Sequence, residues 1–303
     1  NVAIGSGALS SNTTASANVG IGRLALTANT TGACNVAIGC CALKTNITGN
    51  LNTAVGHDAL KLNTGGCNVS IGALALDANT TGGTNVAVGR GSLGANTTAS
   101  NNVAIGDLSM VANTEGHSNT AIGKGSLGAN TTGTSNTAVG CDALVNNTTA
   151  GANTAVGRNS LRDNTTGSDN TAVGESSLRE NETGCCNSVL GENAMTLNTS
   201  GCYNTSIGSF SLHNNTTAHN NTAMGYSALL ANTTGTQNVA IGALALDANT
   251  TSDNNTAVGY CSLSTNITGA NNTSVGRNAL AANTTGQTNT AVGQGALAAN
   301  TTA

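Results

Sequence analysis

The chain has 303 residues with only nine basic and thirteen acidic side chains, and a formal net charge of −4. So weak and mixed a charge offers no electrostatic basis for binding nucleic acid or an anionic membrane surface. The lack of Pro and Trp, the single Phe, the three Tyr and the forty Gly argue against a pair of ordinary globular domains with aromatic cores.

From its first residue the sequence repeats. Asn followed by a small-aliphatic-Gly pattern begins at residues 1, 18, 35, 52, 68, 85, 102, 119, 136, 153, 170, 187, 204, 221, 238, 255, 272 and 289, so 1–303 is a single repeat array. Every interval is 17 except that from Asn52 to Asn68, which is 16; the missing residue falls at Asn63-Thr64-Gly65, where most units carry Asn-Thr-Thr-Gly or a variant. A unit reads Asn, Val/Thr, small, aliphatic, Gly, two free positions, Ala/Ser, Leu, two free positions, Asn, Thr, Thr, and three small or polar residues.

Each fixed position has a physical reading. Gly at position 5, from Gly5 to Gly293, suits a corner with positive φ or a close backbone approach. Position 4 is always Ile, Val, Leu or Met and position 9 is Leu except at Met110 and Met195, so these two are expected to stack as apolar columns. Positions 3 and 8 are almost all Ala, Ser or Gly, with Val189 the large exception, which predicts a flat strip of surface. No charged residue falls at positions 1 to 5, 8, 9 or 12, as stacking demands.

An element confined between the Gly corner and the next free corner is too short for a stable helix. Short strands are therefore predicted, with positions 2 and 4 on one face and 3 on the other. Parallel pairing about 4.8 Å apart makes an all-β fold, a parallel β-solenoid (β-roll or β-helix) of 18 coils of about 17 residues, roughly 85 Å long. Asn at positions 1 and 12 of every coil suits two side-chain amide ladders. Two large aliphatic residues per coil make a thin core. Self-association through the flat strip is therefore expected, as a parallel trimer or as an end-to-end filament, since neither end of the array carries a divergent capping coil.

Units such as Asn1-Val2-Ala3-Ile4-Gly5 and Asn136-Thr137-Ala138-Val139-Gly140, each followed by Ala/Ser-Leu, resemble the repeats of trimeric autotransporter adhesin heads and of phage tail-fibre-like proteins. The resemblance covers the whole chain. It implies a parallel β-roll, three chains about one axis, and an extracellular adhesive rod on a cell surface or virion. The coil here is longer, and Asn-Thr-Thr is nearly constant.

Few residues compete for a chemical role. The strings Gly89-Arg90-Gly91-Ser92-Leu93-Gly94 and Gly123-Lys124-Gly125-Ser126-Leu127-Gly128 match a dinucleotide-binding pattern, but the first Gly is the coil corner and no helix is expected to follow. His57, His117, His213 and His219 lie at variable positions without metal or nucleophile–base spacing. No enzyme, metal or cofactor is expected, nor a membrane span, since no stretch nears about 18 apolar residues. Among nine Cys, Cys185 and Cys202 share position 16 in consecutive coils and are a possible disulfide, with Cys186 the rival partner.

Position 12 opens an Asn-x-Thr/Ser sequon at Asn12, Asn29, Asn46, Asn79, Asn96, Asn130, Asn147, Asn164, Asn181, Asn198, Asn215, Asn232, Asn249, Asn266, Asn283 and Asn300. These residues are candidates either for N-glycosylation, which would make the chain a glycoprotein, or for an internal ladder. The function expected is a non-catalytic extracellular structural or adhesive fibre. The alternative is an ice- or glycan-binding solenoid using a regular Asn-x-Thr face. Receptor contacts would fall at the variable corners that carry Phe210, Tyr226 and Tyr260.

Overall fold

The computed structural model describes residues 1–302. Among them no helix occurs, and every regular element is a strand of three residues. Two compact units divide the chain, Asn1–Gly151 and the part from Ala152 onward. The first holds nine strands from β1 (Val2–Ile4) to β9 (Thr137–Val139), the second nine from β10 (Thr154–Val156) to β18 (Thr290–Val292). Within each unit the strands pair in parallel, in chain order and residue for residue: Val2 lies opposite Val19, and Thr154 opposite Thr171. The architecture is a parallel β-solenoid with one strand per 17-residue coil.

Each strand ends at the Gly of position 5 for two reasons. These glycines have φ of +125 to +146°, a region closed to other residues. A Cβ on Gly39 would also stand 2.3 Å from the carbonyl oxygen of Gly56 in the next coil. Beyond the corner the chain does something its composition did not announce. All eighteen Leu or Met residues at position 9 are left-handed, as Leu26 (φ 52°) and Met110 (φ 50°) illustrate, and positions 7 and 17 repeat the conformation, as in Leu24 and Cys34. A non-Gly residue there costs roughly 1–2 kcal/mol. The offset is axial: the N–H groups of these residues reach adjacent coils, Leu24 to the Ser6 carbonyl at 2.9 Å, Leu26 to Ala42 at 3.1 Å and Cys34 to Ser16 at 3.2 Å.

The interior reverses part of the expected pattern. Position 3 is buried from Gly20 to Ala291, and position 8 is buried in all but the first and last coils. The small residues therefore line the inside instead of a flat outer strip. Their size is dictated by a thin coil: a Cβ on Gly20 would lie 3.3 Å from Cγ of Leu9 and 3.4 Å from the Ala25 carbonyl. Where Ser replaces Ala, its hydroxyl donates across this gap, Ser70 to the Ala75 carbonyl at 2.8 Å and Ser109 to the Ala121 carbonyl at 3.2 Å. Leu at position 9 fills the rest of the apolar half, with Leu26 to Leu280 fully buried. Position 4 was expected in the core and instead points outward, because alternation about a buried position 3 sends positions 2 and 4 to the opposite face. Ile38, Ile71 and Leu190 are 38, 42 and 51% exposed.

The other half of the interior is amide. Asn35 at position 1 donates its backbone N–H to Asn18 Oδ1 of the coil before at 2.9 Å and its Nδ2 to the Gly49 carbonyl at 2.8 Å. Asn96 at position 12 donates from Nδ2 to Asn79 Oδ1 at 2.7 Å and to the Ala99 carbonyl at 3.0 Å. Both sets are buried and satisfied in nearly every coil, which is how so polar a core avoids the desolvation penalty of unpaired amides.

The 16-residue coil marks the one lapse. Thr64 keeps the contacts of position 13, donating from both N–H and Oγ1 to the Thr80 carbonyl at 2.7 and 2.9 Å, and Gly65 keeps those of position 15. The residue lost is position 14, which lies exposed in most other coils. Strand register passes undisturbed, Thr53 opposite Val69. The amide ladder does not: Asn63 Nδ2 donates to Gly65, and Asn46 Oδ1 is left buried without a partner.

Candidate functional site

No pocket opens among the described residues, and no group of three or more His, Cys, Asp and Glu is placed to hold a metal ion. What the coil offers is surface and two pairs of neighbouring thiols, Cys40 with Cys41 and Cys185 with Cys202.

Of the sequon residues, the Asn lie inside. From Asn29 to Asn283 they are fully buried, with Nδ2 committed to neighbouring Oδ1 and carbonyl acceptors, as in Asn181 with Asn164 and Gly184; only Asn12 and Asn300, in the terminal coils, are half-buried. A sugar on such a nitrogen has no room in the folded coil. The same burial removes Asn from the regular Asn-x-Thr face expected as a binding surface. Thr at position 13 is partly committed as well, its hydroxyl donating to the position-13 carbonyl one coil on, as from Thr80 to Thr97 at 2.9 Å and Thr216 to Thr233 at 3.1 Å. Thr at position 14, for example Thr81, Thr98 and Thr132, stands exposed.

The sheet face carries the second surface. Ile38, Ile105, Ile122, Met224 and Ile241 at position 4 are each between 37 and 38% exposed, flanked by half-buried Val or Thr at position 2. No charged side chain interrupts it, because none occupies positions 1 to 5. Charge gathers at the corners instead, where Arg90 clasps Asp107 with two bonds of 2.9 and 3.0 Å and Lys61 meets Asp58 at 3.1 Å. Phe210 sits in this belt against His213 and Tyr226, with ring centroids 5.5 and 6.4 Å away.

Three of the histidines make separate local contacts. His57 lies 3.8 Å from Asp58, His213 Nδ1 is 2.8 Å from the Asn193 carbonyl, and His219 Nδ1 accepts the Cys202 N–H at 2.9 Å. In the two glycine-rich strings Gly89 and Gly123 are coil corners and Gly91 and Gly125 are left-handed turns.

The position-16 cysteines do meet. Cys185 and Cys202 are free thiols whose sulfurs stand 2.8 Å apart. A recurring device brings them together: the side chain at position 16 accepts the backbone N–H of position 16 one coil earlier, as Asn50 does for Ala33 at 2.7 Å and Ser100 for Gly83 at 3.0 Å. Cys202 Sγ does the same for Cys185 N–H at 3.0 Å. The hydrogen bond to Cys202, with burial behind it, pushes the Cys185 thiol up to about 12.

Sequence reasoning missed the outward aliphatic face and the left-handed residues. The clue to the first was that positions 3 and 8 are small together, which marks two segments in contact. Comparison with protein-family models, with curated proteins and with solved structures finds no match to this chain.

Proposed function

We propose that this chain is a non-catalytic building block of an extracellular structural or adhesive fibre, and that copies of it associate in parallel, as a trimer, through the outward side of the sheet. The observation that carries the reading is the uncharged column of Ile, Val, Leu and Met at position 4. Within one compact unit, nine strands present two outward side chains each, close to the roughly 20–30 residues a side of a stable interface. Aliphatic side chains this exposed are stabilised by a partner of the same kind, and a second copy in register offers an identical column with no charge to desolvate. The adhesive contacts would then fall to the corners, which stay free and variable.

The test is the oligomeric state of the full chain by sedimentation and light scattering, with Ile105→Lys and Ile122→Lys together as the variant. A discrete oligomer that falls to monomer in the variant, with unchanged far-ultraviolet circular dichroism, supports the proposal. A monodisperse monomer at high concentration of the unaltered protein overturns it.

A second reading, an ice- or glycan-binding solenoid, draws on the exposed Thr of position 14, repeated at coil spacing with few charges. Thermal hysteresis or reshaped ice crystals with purified protein would favour it.

A further inference from the structure

We infer that Cys185 and Cys202 form a peroxide-oxidisable site, in which Cys202 is the sulfur attacked first and Cys185 resolves it into a disulfide joining two adjacent coils. The site does not depend on the fibre reading.

The assignment of roles follows from the hydrogen bonds. Cys202 Sγ accepts from both the N–H and the S–H of Cys185, at 3.0 and 2.8 Å, and its own proton lies toward the Ser200 carbonyl at 3.6 Å. The Cys185 proton is thus tied up in the contact with the Cys202 sulfur, which holds Cys185 back from the oxidant and leaves Cys202 to react first, with its partner already within reach. The hydrogen bond to Cys202, with burial behind it, also raises the Cys185 thiol. Neither sulfur is sealed off, since both residues are only half-buried at a corner. Cys202 is also fixed in place, its N–H bound to His219 Nδ1 at 2.9 Å, so the geometry does not rely on a mobile loop.

The chemistry balances with hydrogen peroxide as oxidant. Cys202 sulfur attacks one peroxide oxygen, an S–O bond forms, the O–O bond breaks, and the thiol proton leaves with the departing oxygen as water, giving a sulfenic acid. Cys185 sulfur then attacks that sulfur; the S–S bond forms, the S–O bond breaks, and the Cys185 proton leaves with the hydroxyl as a second water. Two thiols and one peroxide become one disulfide and two waters. The product clamps the coil that begins at Asn170 to the one that begins at Asn187, so these two coils can no longer part at that corner. Cys186, one residue from Cys185 and close enough to perturb its thiol, provides an internal control.

The experiment is a graded hydrogen peroxide titration of the full chain, followed by alkylation of the remaining thiols, cleavage after Glu192 to separate Cys185 from Cys202, and fragmentation mass spectrometry. The expected result is that the Cys185–Cys202 cross-link, two hydrogens lighter, forms before any other of the nine cysteines is modified. In Cys185→Ser a sulfenic acid trap should label Cys202, whereas in Cys202→Ser it should leave Cys185 unlabelled. A first cross-link through Cys186, equal oxidation of all cysteines, or trapping of Cys185 in preference to Cys202 would overturn the inference; the unaltered protein alone decides the first two.

Discussion

The side-chain amides of Asn18 and Asn29 converge on a single acceptor, the carbonyl oxygen of Gly32, at 2.8 and 2.9 Å. The same convergence recurs in later coils, as for Asn85 and Asn96 on Ala99. It joins the two amide ladders through the backbone and makes the polar half of each coil a single network. Removing one member should therefore cost several groups a bond and strand one of them. Asn96→Ala deprives Asn79 Oδ1 and the Ala99 carbonyl of a donor and Asn113 Nδ2 of an acceptor. The Ala99 carbonyl keeps Asn85 and Asn113 keeps the Gly116 carbonyl, but Asn79 Oδ1 is left with none; with an unmet buried group costing about 1–3 kcal/mol, the variant should lose that much stability in denaturant unfolding, far more than Thr98→Ala at the neighbouring exposed site.

The short coil predicts the opposite sign. Inserting one Thr between Thr64 and Gly65 restores the 17-residue spacing and gives the orphaned Asn46 Oδ1 the donor that other coils supply. An increase of about 1–3 kcal/mol is expected, read as a higher midpoint in thermal or denaturant melts. No change would mean that the short coil has already relaxed around its defect.

Left-handed β-branched residues are another reserve of stability. Thr84 has φ 60° at position 17, where Asn101, Asn220 and Asn254 serve elsewhere. Asn tolerates this conformation better than a β-branched side chain. Thr84→Asn should raise stability by up to about 1 kcal/mol, measured by calorimetry.

Acid should reveal two strained carboxylates. Burial pushes the Asp77 and Asp247 carboxyls above their ordinary value of 3.8, and Asp247 Oδ1 has no hydrogen-bond partner. The folded chain thus keeps protons that the unfolded chain releases, so their contribution to stability falls as pH rises from 3.8 through the higher folded values. Asp247→Asn should melt above the parent at neutral pH, and the gap should close once the pH drops below about 3.8.

The inside and outside of the strand can be told apart by size. Ala121→Leu forces bulk into the narrow interior, where overpacking costs about 1–3 kcal/mol or more, whereas Ile122→Thr, one residue on, changes only the outward face. Comparable losses from both, by urea unfolding, would contradict the assignment of faces.

Period, strand, parallel pairing and the amide ladders were legible because each depends on identity at a fixed spacing: Gly at 5, Asn at 1 and 12, and charge kept from both. The polarity of the coil was not legible. A column of Ile and Val at position 4 reads as core by hydrophobicity, yet the thin interior takes Ala, Ser or Gly opposite one another in every coil but that of Val189, and shape overrode transfer free energy. The left-handed Leu at position 9 was equally hidden, since propensity assigns that conformation to Gly and Asn, while here backbone bonds to the next coil impose it. At Cys185 and Cys202 shared position foretold nearness, but the direction of the hydrogen bond between them needed coordinates.

The amide ladders also have a direction. Asn46 donates to Asn29, Asn96 to Asn79 and Asn215 to Asn198, each time toward the earlier coil. A stack parted between two coils of one unit therefore shows two unlike faces, one with bare amide hydrogens and the other with bare amide oxygens. Such faces fit each other in one sense only; reversed, oxygen would meet oxygen. Each unit is in this respect an electrical one-way street, and its amide ladders re-anneal only head to tail.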